Sequence, residues 1–384
     1  MGIQIHRGNS TTAPPIAIEQ AGPQSARGMP KKKLVRRRAR DHSQHIRHGF
    51  QIVFLLLNVW LGGQFYLWVR QFEVAGSPLS VGRPAGVEGW LPIAGLMNLK
   101  YWLATGHIPA IHPAALFLLL AFLSIAFLFR KAFCSWLCPV GTLSEYLWRA
   151  GRKIFGRNFR LPGWLDIPLR GLKYLLLGFF LWAVAGMSAA AIGSFMHTPY
   201  GLIAAVKMLN FFRFLGVAGL GVIGLLMVAS LFVENFWCRY LCPYGALLGL
   251  VSLPGPLRIR RNPEACIDCT KCARACPSSL PVDRLVSVRS AECTGCMACV
   301  AVCPAEGALG LSLPQRLESM LEPRLESKRK RAGLPAWAVA TGIALLFLGL
   351  VGFAKATGHW NTPVSNAVYQ ELVPHANQAQ HPMP

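Results

Sequence analysis

The sequence is short of negative charge: 16 Asp and Glu stand against 39 Lys and Arg in 384 residues, a formal net charge of +23. It is also short of charge of either sign. Only 14% of its residues are charged, where a soluble domain carries about 25%. With 53% hydrophobic residues, that deficit excludes an ordinary soluble globular protein and points to a membrane protein. No secretory leader is expected at the start. The first apolar run begins near Phe50, behind a polar stretch rich in Pro, Gly, Gln and Arg. Residues 1–49 are therefore expected to form a disordered, basic cytoplasmic arm. No single stripe gathers the basic residues, which argues against nucleic acid as a partner. They flank the apolar runs instead, as topology signals do.

Five runs approach the roughly 20 residues that cross a bilayer: 51–69, 114–129, 172–192, 216–233 and 335–353. Lys31, Lys32, Lys33, Arg36, Arg37, Arg38 and Arg40 precede the first. Segments 130–170 and 234–333 are basic, and the second ends in Lys328, Arg329, Lys330 and Arg331. Segments 70–113, 193–215 and the tail after 353 are poor in Lys and Arg. The alternation fits the positive-inside rule at every crossing. It predicts a multi-pass protein of a bacterial inner membrane, surrounded by lipid, with the N-terminus and every cysteine cytoplasmic and the C-terminus periplasmic.

Twelve cysteines fall in tight groups, each closed by Cys-Pro and each beside a basic segment, which favours cytoplasmic metal ligation over disulfides. From Cys266 the spacing is Cys266-x2-Cys269-x2-Cys272-x3-Cys276-Pro277, and from Cys293 it repeats as Cys293-x2-Cys296-x2-Cys299-x3-Cys303-Pro304. This is the pattern of bacterial ferredoxins with two [4Fe–4S] clusters, in which the fourth cysteine of each run ligates the other cluster. Cys266, Cys269, Cys272 and Cys303 are assigned to one cluster; Cys293, Cys296, Cys299 and Cys276 to the other. Structural zinc uses looser spacings. Thr294, Gly295 and Ala298 are small enough to let backbone N–H groups approach the sulfurs. Lys271 and Arg274 add positive charge that could raise a potential, dock an acidic partner, or simply be solvated.

Cys134/Cys138 and Cys238/Cys242 lie in two echoes, Phe133 to Gly141 and Trp237 to Gly245, each reading Cys-x-x-x-Cys-Pro-x-Gly after an apolar run. Two pseudo-repeated hairpins are expected. Three readings stand open for the pairs: a third metal or cluster site of four thiolates, a redox-active thiol pair that relays electrons or handles copper, or a structural turn with inert thiols. His107, His112 and His197 fall in the cysteine-poor loops, where a haem or quinol site is possible and plain solvation or capping is the commoner use. Glu145 and Glu234 are expected to be interfacial and solvated. Segment 76–112 is apolar for a loop and reads as an interfacial or re-entrant helix, either part of a quinone pocket or packed on the bundle.

The expected fold is mainly α: a polytopic helical bundle of about five spans with a small α+β ferredoxin-like domain. Four spans occupy 50–257, the 2[4Fe–4S] domain 258–312, a basic linker 313–333, the fifth span 334–354 and a periplasmic tail 355–384. The paired Cys-x-x-x-Cys-Pro motifs followed by the double ferredoxin motif resemble the membrane ferredoxins of the NapH type, quinol dehydrogenase subunits. Nitrous-oxide-reductase regulators and cytochrome-oxidase-associated polyferredoxins share these elements. The similarity covers roughly 50–311. It implies an electron-transfer subunit without catalytic residues of its own, working between the quinone pool and a cytochrome or periplasmic reductase. The chain departs from the simplest members in its fifth span and in a tail with His359, Trp360, Tyr369 and His375. No large N-terminal flavin-binding domain like that of the regulators is expected. Two rival roles use the same residues: a copper-handling oxidase assembly factor and a redox-sensing scaffold.

Overall fold

Each apolar run of the sequence is helical. The computed structural model describes residues 41–74, 80–313 and 333–381, and its long apolar helices are Ser43–Glu73, Pro113–Leu128, Gly163–Gly186, Val217–Phe232 and Ala336–Ala356. Most of the arm expected at 1–49 and nearly all of the linker expected at 313–333 lie outside the described residues.

Among the described residues, 3 helices are long and apolar enough to cross a membrane alone: Ser43–Glu73, Gly163–Gly186 and Ala336–Ala356. Val217–Phe232 meets that standard only together with Ala204–Arg213, from which it is bent by 82°, and Pro113–Phe129 is shorter. The two short helices sit in opposite settings. Ala114, Ala121, Ile125 and Ala126 of Pro113–Leu128 are all 0% exposed. A helix apolar on every side is a core helix, and this one packs against Ala336–Ala356, Pro92–Thr105 and Pro243–Val251. Val217–Phe232 instead buries only Ser230 and turns Val217, Leu220, Leu225 and Val228 outward.

Two boundaries differ from expectation. The first long helix begins at Ser43, inside the stretch expected to be disordered. Its first turns are pinned: Gln44 Nε2 donates to the Cys296 carbonyl at 3.0 Å, and Arg47 donates to Glu145 at 2.6 Å. The third helix runs Gly163–Gly186, not 172–192. Asp166, Arg170 and Lys173 masked its first turns from a reading by hydropathy. Its end is set by Lys100 Nζ, which caps the carbonyls of Val184 at 3.0 Å and Ala185 at 2.7 Å. Ser188 then caps a new helix, Ala189–Met196, its Oγ accepting from the Ala191 N–H at 3.1 Å.

The apolar loop folds as a short 3-10 helix, Ala85–Trp90, and a helix, Pro92–Thr105, both packed on Pro113–Leu128. The C-terminal tail packs beside them. Its helix Asn366–Leu372 sets Tyr369 edge-on to Trp68 with ring centroids 4.9 Å apart, and Lys207 Nζ donates to the Ala376 carbonyl at 2.9 Å.

The cysteine-rich segment is bracketed by an antiparallel pair, β1 (Arg258–Arg261) and β2 (Leu309–Ser312), with Arg258 opposite Ser312 and Arg261 opposite Leu309. It is seated on the bundle by polar contacts. Buried Arg130 donates to the carbonyls of Ser252 at 2.7 Å and Ser290 at 2.5 Å. Ser135 Oγ donates to the Thr294 carbonyl at 2.7 Å, and Trp136 Nε1 to that of Gly295 at 3.2 Å.

Candidate redox site

The two cysteine loops between β1 and β2 repeat one backbone design. Asp268 and Gly295 occupy the same place in each copy, with φ of 51° and 63°. Thr270 and Met297 do likewise, both at 57°. Left-handed residues of this kind curl successive N–H groups toward one side, the arrangement that cradles anions and cluster sulfurs. Three of the four are not glycine, and each such residue costs on the order of 1 kcal/mol, which the two copies spend at matching positions. Cys276, Cys293, Cys296 and Cys299 line one small cavity with Gly295 and Pro277. These are the four thiols of the crossed set. Cys276 Sγ accepts from the Leu280 N–H at 3.5 Å, and burial pushes its thiol up to about 12, so proton loss there calls for a metal. Of the other set, Cys272 and Cys303 lie within Coulombic reach of one another.

Cys134, Cys138, Cys238 and Cys242 all line one cavity of about 660 Å3. Cys138 and Cys242 do the same local work. Each caps a helix with Pro at its first turn, and each sulfur accepts an amide three residues on, Gly141 N at 3.5 Å and Gly245 N at 3.3 Å. The copies differ upstream, where Phe133–Trp136 is α-helical and Trp237–Leu241 is a π-helix.

The cavity follows the buried helix Pro113–Leu128, which is roughly 24 Å long. Leu118 and Phe122 of that helix line it, with Arg83 and Gln64 toward the helix start and the four thiols toward its end. Phe54, Phe133, Tyr244 and Phe347 complete an aromatic wall; Phe122 and Phe133 lie 4.0 Å apart between centroids. Behind the thiols a second cavity of about 70 Å3 is bordered by Cys134 and Cys238 on one side and by Pro277 and Cys296 on the other. Cavity, hairpin thiols and ferredoxin thiols therefore follow one another in order. Among the described residues, no group of three or more His, Cys, Asp or Glu closes on a single metal ion.

The ionisable residues correct several expectations. Glu145 is buried, not solvated. Both its oxygens accept from Arg47 at 2.6 Å, and Gln51 and Arg149 join them at 2.9 and 2.6 Å. Burial pushes this carboxyl up, and the bonds from Arg47 and His48 outweigh it and hold it far below the usual range. Glu234 is likewise buried, against Arg152 at 2.6 Å. His112 is 0% exposed. Its Nδ1 faces Glu88 at 3.2 Å and its Nε2 the Gly201 carbonyl at 2.8 Å, so both ring nitrogens are engaged and neither is available to a haem. His197 bonds its own helix at Gly193 O, 2.8 Å, and His107 is exposed. Lys271 and Arg274 are exposed, Arg274 bonding Thr270. Sequence reasoning passed over Lys131. Its charge was read as a topology signal, yet it is 2% exposed and borders the cavity behind the thiols. Its place three residues before Cys134 was the available clue.

A helical protein with spans of membrane length and ferredoxin cysteine loops defines a class, the membrane-bound iron–sulfur electron carriers. Comparison with known proteins narrows it. The family described as "4Fe-4S binding domain" matches twice, at residues 111–159 and 215–262, and "4Fe-4S dicluster domain" matches 258–304. YccM of Escherichia coli (strain K12), a protein named for electron transport, is 50% identical over 335 residues, 87% of this chain and 91% of YccM. The ferredoxin-type protein NapH of the same organism is 26% identical over 260 residues, 65% of this chain and 83% of NapH. The regulatory protein NosR of Pseudomonas aeruginosa is 32% identical over 191 residues, 48% of this chain but 25% of NosR. No solved structure matches. The chain belongs to the NapH/NosR-like family of ferredoxin-type electron transport proteins.

Proposed function

We propose that this protein carries electrons between the quinone pool and a redox protein partner, as the electron-transfer component of a quinol dehydrogenase in a bacterial inner membrane. Cys266, Cys269, Cys272 and Cys303 hold one [4Fe–4S] cluster, and Cys276, Cys293, Cys296 and Cys299 the other. The observation that carries the reading is the cavity of about 660 Å3 with thiols in its wall. It falls within the roughly 300–1,000 Å3 of small-molecule sites, and its aromatic wall suits a flat, apolar headgroup. Leu57 and Leu348, 39% and 63% exposed, border it and offer a way in from lipid. A quinol oxidised there gives up two electrons and two protons; a quinone reduced there takes up the same.

The protein's own part is positioning. Aromatic side chains exclude water, Arg83 and Gln64 offer hydrogen bonds to a headgroup oxygen, and the fold keeps thiols within reach of the ring. Ile267 and Asp268, beside the outermost cysteines, are exposed, and the adjacent Lys271 and Arg274 give an acidic redox protein a docking face. The basic segments around the cysteine end support a cytoplasmic placement for it.

The test is reduction of the purified, cluster-loaded protein in liposomes by a quinol analogue, followed by cluster absorbance. Wild type is expected to bleach, and the double variant Leu57→Trp/Leu348→Trp to bleach at least tenfold more slowly while dithionite still reduces both. Bleaching by dithionite alone, with no quinol effect in wild type and no reoxidation by quinone, sinks the quinone assignment.

A further inference from the structure

We infer that Cys134, Cys138, Cys238 and Cys242 hold a third iron–sulfur cluster, shared between the two halves of the bundle, with the buried Lys131 ammonium as its fixed counter-charge. The proposal deepens the electron-transfer reading and rests on it for the direction in which electrons leave the cavity.

Each half supplies two thiols, and a cubane takes four. The halves are joined in space, since all four sulfur-bearing residues border one cavity. Two of the sulfurs already accept backbone amides at helix starts, where N–H groups and the helix dipole favour thiolate. The same amide-to-sulfur bond occurs at Cys276 in the ferredoxin loop.

Lys131 is the second, independent observation. It is 2% exposed, and among the described residues its ammonium has no hydrogen bond and no ion pair within 4 Å. A bare ammonium in that setting is costly unless a negative charge is brought to it. Its Nζ lies 3.6 Å from where a Gly245 Cβ would stand, and Cys242 Sγ lies 3.6 Å from the same point. The groups of opposite charge within its reach are Cys134, Glu292, Cys242 and Cys238, in that order. Lys131 and neighbouring Lys173, which bonds Glu292 at 2.6 Å, share that one carboxylate, so two ammonium groups face a single negative charge and one positive charge remains for the thiolates. A cubane on four thiolates is a net anion in both oxidation states, and more so when reduced. A fixed positive charge therefore favours the reduced form and raises the potential. Held by these four thiolates, the group would supply a one-electron step between the cavity and the ferredoxin loops; a quinol oxidised fully in the cavity would release two electrons, one at a time, and two protons to water.

The test uses the full chain purified anaerobically, with iron, acid-labile sulfide and EPR measured before any activity. Wild type is expected to hold about twelve irons and twelve sulfides, and Cys134→Ser/Cys238→Ser about eight of each with both ferredoxin signals intact. Lys131→Met is expected to keep all the iron and to lower the third signal's reduced-to-oxidised ratio about tenfold at fixed poise, about 59 mV for one electron. Lys131→Arg should restore it. Eight irons in wild type, or eight irons with one zinc or copper, overturns the third cluster; an unmoved potential in Lys131→Met overturns the counter-charge. Twelve irons with no quinol reduction sinks the quinone reading and leaves this one standing.

Discussion

The ferredoxin loops and the hairpin pairs both concentrate thiols, by opposite routes. Between Cys266 and Cys303 the cysteines are close in sequence, and local turns place them. Asp268, Thr270, Gly295 and Met297 take left-handed conformations at matching points, so either loop can be shaped with little help from outside. Cys134 and Cys238 come from separate parts of the chain. What unites them is packing: the buried helix Pro113–Leu128, the caps at Cys138 and Cys242, and buried ion pairs such as Arg47–Glu145, whose members are 98 residues apart. A site made by local turns survives damage to the bundle; a site made by packing does not. That difference can be broken or sharpened by experiment.

The largest effect is expected from a ligand. Cys276→Ser removes one thiol of the crossed set and is expected to cost the cluster it serves, about four irons. Cys134→Ser should leave both ferredoxin signals untouched. Iron and sulfide analysis with EPR decides it, and loss of ferredoxin signals in Cys134→Ser would break the claimed independence.

Next comes the ionic knot. Glu145→Ala leaves Arg47 buried and unpaired, a change that costs about 3–5 kcal/mol. Thermal unfolding in detergent should show a large fall in midpoint. The sign with pH follows from a carboxyl held below its ordinary value. Its stabilisation is fully present above about pH 4.3, the unfolded value, and fades as the pH falls below that. Glu145→Gln should therefore unfold earlier than wild type at pH 7, and the gap should narrow as the pH falls below about 4. A gap that is constant with pH would remove the carboxylate from the explanation.

A smaller effect separates the two hairpins. A Cβ at Gly141 would stand 2.2 Å from the Cys134 carbonyl oxygen, but at Gly245 its nearest neighbours are at 3.6 Å. Gly141→Ala is expected to cost about 1–3 kcal/mol as an overpacked site does, and Gly245→Ala almost nothing. Equal losses in unfolding midpoint would show that the echo in sequence is also an equivalence in packing.

These contrasts explain what the sequence made legible. The ferredoxin-type segment was readable because its cysteine spacing is local, and the 4Fe-4S dicluster family matches it at 258–304; the long helices were readable because hydropathy over about 20 residues is a local property. The short helices were ambiguous for a physical reason: Pro113–Leu128 is buried over all but its last turn and Val217–Phe232 is bared, yet both read as apolar runs. The burial of Glu145, Glu234 and His112 was illegible. Charge and imidazole look solvated until their partners are known, and those partners come from distant segments: Arg47, Arg152 and, for His112, Glu88 and Gly201. Lys131 was visible in the sequence, but its burial was not, since a lysine beside an apolar run reads the same whether it is solvated or 2% exposed.

The smallest stability change probes the seam between the two thiol systems. Ser135 follows Cys134 in the chain, and its hydroxyl donates to the carbonyl of Thr294, which follows Cys293, at 2.7 Å. That path from one cysteine to the other is two residues of backbone and one hydrogen bond long. Ser135→Ala removes a single neutral hydrogen bond, worth roughly 1 kcal/mol, and Trp136 still ties its indole N–H to the Gly295 carbonyl, so the domain stays seated. If the seam only holds the domain down, the variant should lose about that much stability and reduce its ferredoxin clusters at the wild-type rate. If it also carries electrons between the packed site and the local one, cluster reduction from the quinol side should slow several-fold, while direct reduction by dithionite is unchanged. Stopped-flow absorbance with both reductants separates the outcomes, because only the second ties the two regions into one conducting path.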